Sequence, residues 1–135
     1  MLNKVNLDAK LKKSDLKKLL DEKLGYELGK AQRAARDAGM PVIMVFEGWR
    51  HSRRSEIVGK MMQYMDARGF RVFTSTRITE QERQQPFFTT FWKRLPPPGN
   101  IFVYRHSWYY LKNDMEVKNE AKSTRVTFDQ INAFE

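Results

Sequence analysis

The chain has 135 residues and a mass of 16.0 kDa, room for one domain with a core but not for two. Its 41% hydrophobic fraction is that of a folded protein, the absence of cysteine excludes disulfides and thiolate metal sites, and two histidines are too few for a zinc site without carboxylate help. The formal charge of +9 attracts polyanions (nucleic acid, anionic lipid, nucleotides, polyphosphate) without choosing among them, and a lysine-rich soluble surface would give the same figure.

Residues 1–13 are polar and lysine-rich and read as a flexible basic arm, with no apolar stretch of the kind a secretion signal carries. From Ser14, Leu16, Leu19, Leu20, Leu24, Leu28, Ala31 and Ala35 recur at helical spacing, leaving the lysines on a solvated face. Gly39 and Pro41 end that helix. Residues 42–46 are continuously apolar, which suits a strand buried on both faces; the run is far short of the roughly 20 residues of a membrane span. No membrane partner is expected, and a cytoplasmic location is.

A second helix is predicted over residues 55–68, with Ile57, Val58, Met61, Met62 and Met65 as its buried stripe and the methionines as core filler rather than ligands. After Gly69, residues 70–73 make a second strand, completing a strand–helix–strand unit. Thr79 and Glu82 fit a capping box, and the helix behind them carries Phe87, Phe88, Phe91, Trp92 and Leu95, with a kink or restart at Pro86. That spacing fits a core-facing stripe better than a stacking platform for bases, despite the neighbouring Lys93 and Arg94. A proline-rich loop precedes a third strand over residues 101–104, residues 111–124 read as a mobile connection, and Val126, Phe128, Ile131 and Phe134 suggest a last short helix.

The expected architecture is therefore α/β, helices layered on a mostly parallel sheet, with ligands bound beyond the carboxyl ends of the strands. The first strand runs into Gly48, and Gly48 and Ser55 fall on the first and last positions of a phosphate-binding loop, G-x-x-x-x-G-K-[ST]. Arg53 stands where that loop needs its second glycine, and Arg54 where it needs lysine. After the third strand come Arg105 and His106. The carboxylate nearest the loop, Glu47, precedes Gly48 and suits satisfaction of backbone donors; no aspartate stands at either strand end.

From about Ser14 to Glu135 the sequence resembles the polyphosphate kinase 2 family. The resemblance rests on Val45-Phe46-Glu47-Gly48-Trp49, Asp66-Ala67-Arg68-Gly69-Phe70-Arg71-Val72, Phe91-Trp92-Lys93-Arg94-Leu95-Pro96, Ser107-Trp108-Tyr109 and Ile131-Asn132-Ala133-Phe134-Glu135, in this order. The lead-in Gly39-Met40-Pro41 looks most like the amino-terminal half of the tandem polyphosphate:AMP phosphotransferases. The resemblance implies a P-loop-kinase-like three-layer sandwich, transfer of phosphate between polyphosphate and nucleotides, and Mg²⁺ as cofactor. It also implies a domain that continues past the segment matching residues 131–135. Residues 14–135 are then a partial domain, truncated after the third strand and lid region. In the usual P-loop order its first strand would be central, and here that strand would be left with an open edge; either the chain is a fragment of a longer protein, or the edge is met by a homo-oligomer or a second phosphotransferase domain.

The departures fall on the family's catalytic positions. Where the family loop reads Asp-Ala-Ala-Gly-Lys-Gly, this chain has Arg50, His51, Ser52, Arg53, Arg54 and Ser55; where it reads Asp-Arg-Ser-Trp-Tyr, this chain has Arg105 followed by His106, Ser107, Trp108 and Tyr109. Both essential carboxylates are thus arginines. A guanidinium about 5 Å from a divalent cation repels it by roughly 7 kcal/mol at an effective dielectric of about 20, so Mg²⁺ is not expected to bind in the family's manner. The expectation is an inactive domain in which Gly48, Arg50, Arg53, Arg54, Ser55, Arg105 and His106, with no opposing carboxylate between the arginines, bind phosphate or polyphosphate. Drift of a silent loop is the competing account. No catalytic residue is expected, and neither histidine is given a general-base task. An active enzyme with an altered loop and a basic nucleic-acid-binding module are the alternatives.

Overall fold

Three short apolar runs assemble into a wholly parallel sheet in the computed structural model, which describes residues 10–49, 51–74, 79–117 and 126–135. Strands β1 (Val42–Val45), β2 (Phe70–Thr74) and β3 (Ile101–His106) lie in the order β1-β3-β2. Val42 pairs with Ile101 and Val45 with Tyr104 on one side of β3, and Phe70 with Ile101 and Phe73 with Tyr104 on the other. A register shift follows between Phe73 and Thr74. Side chains alternate across a pleated strand, so this register sorts the sheet into two faces.

On one face, Val42, Met44, Phe70, Val72, Ile101 and Val103 pack against Val58, Met61 and Met65 and against Leu28. The helices there are α2 (Gly25–Asp37) and α3 (Arg54–Met62). On the other, Phe73, Phe102 and Tyr104 meet Phe91, Trp108, Leu111 and Ile131. These come from α5 (Thr89–Trp92), α6 (Trp108–Val117) and α7 (Phe128–Phe134). The result is the three-layer arrangement that both-face burial of a parallel sheet requires. Gln32 ties the α2 layer down: its side chain donates to the Asp66 carbonyl at 2.9 Å and accepts from the Asp66 amide at 2.7 Å.

Several expectations need correction. The first helix begins at α1 (Lys13–Lys18) and reaches α2 through one wide π-helical stretch, Leu19–Leu24, rather than as a single regular helix. Helix α3 stops at Met62, and a 3-10 turn over Ala67–Gly69 leads into β2. Only Val58, Met61 and Met65 of the expected stripe pack against the core; Ile57 is 54% exposed and Met62 38%. The aromatic segment restarts at Pro86 as expected, as two short helices, α4 (Glu80–Arg83) and α5, but its stripe is not all core: Phe91 is buried while Trp92 and Leu95 are exposed. Phe128 is exposed too, beneath the Lys112 ammonium. Residues 111–117, read as connection, continue α6. The remainder of that stretch and most of the basic arm lie outside the described residues.

Candidate functional site

Residue 46 ends the apolar run, and the chain must then turn off the sheet to start α3. Gly48 takes φ +156°, and a Cβ there would meet Ser52 Oγ at 2.8 Å. The Ser52 amide donates to the Trp49 carbonyl at 3.0 Å, and Arg53 adopts the left-handed conformation, φ +56°, immediately before the helix. A residue with a Cβ rarely sits there. The loop therefore keeps a glycine backbone shape under an arginine side chain. Trp49 stands 89% exposed on its outer side.

Arg54, the first residue of α3, does not reach outward. Its side chain is 16% exposed and lies across the ends of β1 and β3. Nη1 donates to the Arg105 carbonyl at 3.3 Å, lies 3.4 Å from His106 Nδ1 and pairs with Glu47 Oε2 at 3.6 Å. Glu47 Oε1 also accepts from the Ser107 amide at 2.8 Å and the Ser107 hydroxyl at 2.6 Å. So an opposing carboxylate does stand among the arginines, contrary to expectation; Glu47 bridges both strand ends while also satisfying a backbone donor. Arg105 donates through Nη2 to Ser55 Oγ, which binds the end of β3 to the first turn of α3.

A guanidinium can only donate, so this contact is a hydrogen bond in the tautomer that leaves a lone pair on His106 Nδ1. Burial lowers the His106 pKa below its ordinary value, the Arg54 and Arg105 charges lower it further, and Glu47 opposes them. The ring rests on Tyr110, with centroids 4.0 Å apart. Of the residues selected from sequence, Arg54, Ser55, Arg105 and His106 come together, joined by Glu47 and Ser107. Arg53 points away, exposed and loosely paired with Glu56 at 3.9 Å. Gly48 shapes the loop, and Arg50 lies outside the described residues. Glu47 as the partner of Arg54 was missed, and only its place at a strand end hinted at it. Among the described residues no group of three or more His, Asp or Glu side chains could hold a metal ion, and no helix is long and apolar enough to cross a membrane.

A strand, a tight loop and a helix at the carboxyl edge of a three-layer parallel sheet define a P-loop-kinase-like phosphotransferase scaffold. The polyphosphate kinase 2 family model matches residues 10–135, and the chain belongs to that family. It is 30% identical over 102 residues to the NDP-polyphosphate phosphotransferase 3 of Ruegeria pomeroyi, covering 76% of this chain and 34% of the relative. It is 28% identical over 89 residues to a polyphosphate:AMP phosphotransferase of Pseudomonas aeruginosa, covering 66% of this chain and 18% of the relative. Among solved structures, a polyphosphate kinase 2-type protein from Pseudomonas aeruginosa superposes with a TM-score of 0.75 at 27% identity, covering 90% of this chain and 26% of that one. Polyphosphate kinase 2 from Arthrobacter aurescens shares the fold with a TM-score of 0.74 at 21% identity, covering 90% and 46%. The chain thus spans about a third or less of the curated relatives just described.

Proposed function

We propose that this polyphosphate kinase 2 domain binds phosphate chains at the ends of β1 and β3 and does not transfer phosphate. The observation that carries the reading is the position of Arg54. It occupies the lysine's place in the loop, yet it is bound to Glu47 and to the Arg105 carbonyl. Arginine is a planar fork, so it copies poorly a lysine acting as a compact point charge on a transferring phosphate. The donor set here also does not fit a divalent cation. Arg54 and Arg105 bring guanidinium nitrogens to these strand ends, and Glu47 is already engaged by Ser107 and Arg54. Phosphoryl transfer on P-loop scaffolds relies on a metal to position and neutralise the phosphates. What remains is a metal-free anion site with Arg54, Arg105, His106 and Ser55 at its base.

The relatives are phosphotransferases acting with polyphosphate, which makes polyphosphate the first ligand to test. A role as the binding or architectural half of a larger phosphotransferase follows from the same reading. The presence of Ser107 and Trp108 has a structural cause: Ser107 bonds Glu47, and Trp108 is buried against Phe91 and Tyr104.

Titration calorimetry with tripolyphosphate, run beside a coupled assay for nucleotide phosphorylation from polyphosphate with Mg²⁺, tests the proposal. Binding that, at about 0.5 M salt where the general field is screened, weakens at least tenfold in Arg54→Ala/Arg105→Ala, with no turnover in the unmodified chain, is the expected result. Steady turnover abolished by Arg54→Ala would sink it.

A further inference from the structure

A second charged corner lies at the amino ends of the strands, on the edge away from β1. In the order β1-β3-β2, strand β2 closes the sheet on the side opposite the strand that the usual P-loop order makes central. Between β2 and the segment leading into β3 is a cavity of about 300 Å³, at the small end of the range for ligand pockets. Two of its lining side chains, Phe73 and Phe102, have ring centroids 5.1 Å apart. A guanidinium stands over each ring: Arg94 lies 5.5 Å from the Phe73 centroid and Arg71 6.0 Å from that of Phe102. Stacking holds the face of a guanidinium and leaves its N–H edge for an anion. Lys93 adds a third cation to the lining.

Hydrogen bonds fix the wall that carries Lys93 and Arg94. The buried Tyr104 hydroxyl donates to the Arg94 carbonyl at 2.6 Å, and the Asn100 backbone amide to the Pro97 carbonyl at 3.1 Å. Arg94 is paired with Glu82 at 3.8 Å. The Lys93 ammonium donates to the neutral Gln85 side chain at 3.3 Å, and Arg71 has no hydrogen-bond or ion-pair partner among the described residues. Two positive charges, those of Arg71 and Lys93, thus line the cavity with no carboxylate paired to either among the described residues.

We propose that this cavity holds the phosphate group of a small phosphomonoester. That group carries about −1.5 to −2 charge at neutral pH, which matches the pair of cations, whereas a carboxylate would leave one of them over. Its oxygens accept from guanidinium N–H groups and the ammonium, and the ester's carbon body lies against Leu95 and Pro97 in the same lining. Protection of the β2 edge would account for Arg71, but not for a lysine and a second stacked arginine on one cavity. Arg71 pairs in register with Phe102, three residues before Arg105, so the cavity sits roughly 10 Å along the sheet from the strand-end arginines. It stands whether or not those arginines bind phosphate.

Residue-resolved NMR titration of the full chain tests this, with phenyl phosphate and the like-shaped monoanion phenyl sulfate, at about pH 7.5, above the second phosphate pKa of about 6. Phenyl phosphate should shift the amides of Arg71, Arg94 and Asn100 and bind there at least fivefold more tightly than phenyl sulfate. Those shifts should persist in Arg54→Ala/Arg105→Ala, so failure of the strand-end site would show separately, at Arg54 and His106. Arg71→Gln/Lys93→Gln, at two exposed positions, should weaken the binding at least tenfold with the circular dichroism spectrum unchanged. Equal affinity for the two esters, shifts spread over the surface lysines, or binding indifferent to Arg71→Gln/Lys93→Gln would each overturn the proposal.

Discussion

Arg53 holds a left-handed backbone that costs a residue with a Cβ about 1–2 kcal/mol. Glycine would relieve that strain and return about 0.5–1 kcal/mol through a more flexible unfolded chain. The ion pair with Glu56 is exposed and long, and worth little. Arg53→Gly should therefore stabilise the protein by up to about 1 kcal/mol in urea unfolding; a loss of stability would show that the side chain holds the loop. His106 gives a second residue-scale prediction. Its folded pKa lies below 6.5, so the neutral ring is favoured in the native state. The corresponding stability is fully present above that value and is lost as pH falls through the lower folded one. His106→Asn should flatten this pH dependence. A phosphate chain on Arg54 and Arg105 should raise the ring's titration midpoint, read by NMR with and without tripolyphosphate. The substituted glycine was legible in sequence as a departure from a motif. The Arg54–Glu47 pair was not, because it depends on how the loop folds back across the strand ends.

At the scale of elements, the strands and their faces were readable because parallel, doubly covered strands are short and apolar throughout. Helix α6 was passed over as a polar connection. Its signal was present: Trp108, Leu111, Lys112 and Met115 repeat at helical spacing, but the lysine disguised the stripe. The structure buries the Lys112 stem, pairs its ammonium with Glu116 and sets it over the Phe128 ring. Helix α7 then closes the aromatic layer. Phe134 stacks on Phe88 at 4.6 Å, and Glu135 accepts from Trp108 Nε1 at 3.0 Å and the Tyr109 hydroxyl at 2.8 Å. Thr127 and Gln130 form a capping box that fixes its start. Ile131 is fully buried at the centre of this contact. Ile131→Ala should cost about 2–5 kcal/mol in chemical denaturation. A smaller loss would mean that α7 docks through its terminal hydrogen bonds rather than through its buried face.

For the whole molecule, the +9 charge creates a positive field that draws any polyanion at low ionic strength. Composition alone therefore left phosphate chains and nucleic acid unresolved, and only placement can separate a field from a site. Exposed charges farther apart than a Debye length are screened, and that length falls from about 10 Å at 0.1 M salt to about 3 Å at 1 M. Contacts made by Arg54, held at 16% exposure between two strands, are screened far less. Tripolyphosphate affinity should accordingly fall with salt and then level off, the plateau measuring the site. Arg54→Ala/Arg105→Ala should match the unmodified chain within a few-fold at about 50 mM salt and bind at least tenfold more weakly at about 0.5 M. Single-stranded RNA, read through its many phosphates, should lose affinity steadily with salt and be indifferent to the two substitutions. If both ligands follow one common salt slope in both proteins, the arginines at the strand ends contribute only to the field, and the account of β1 and β3 as an anion site fails.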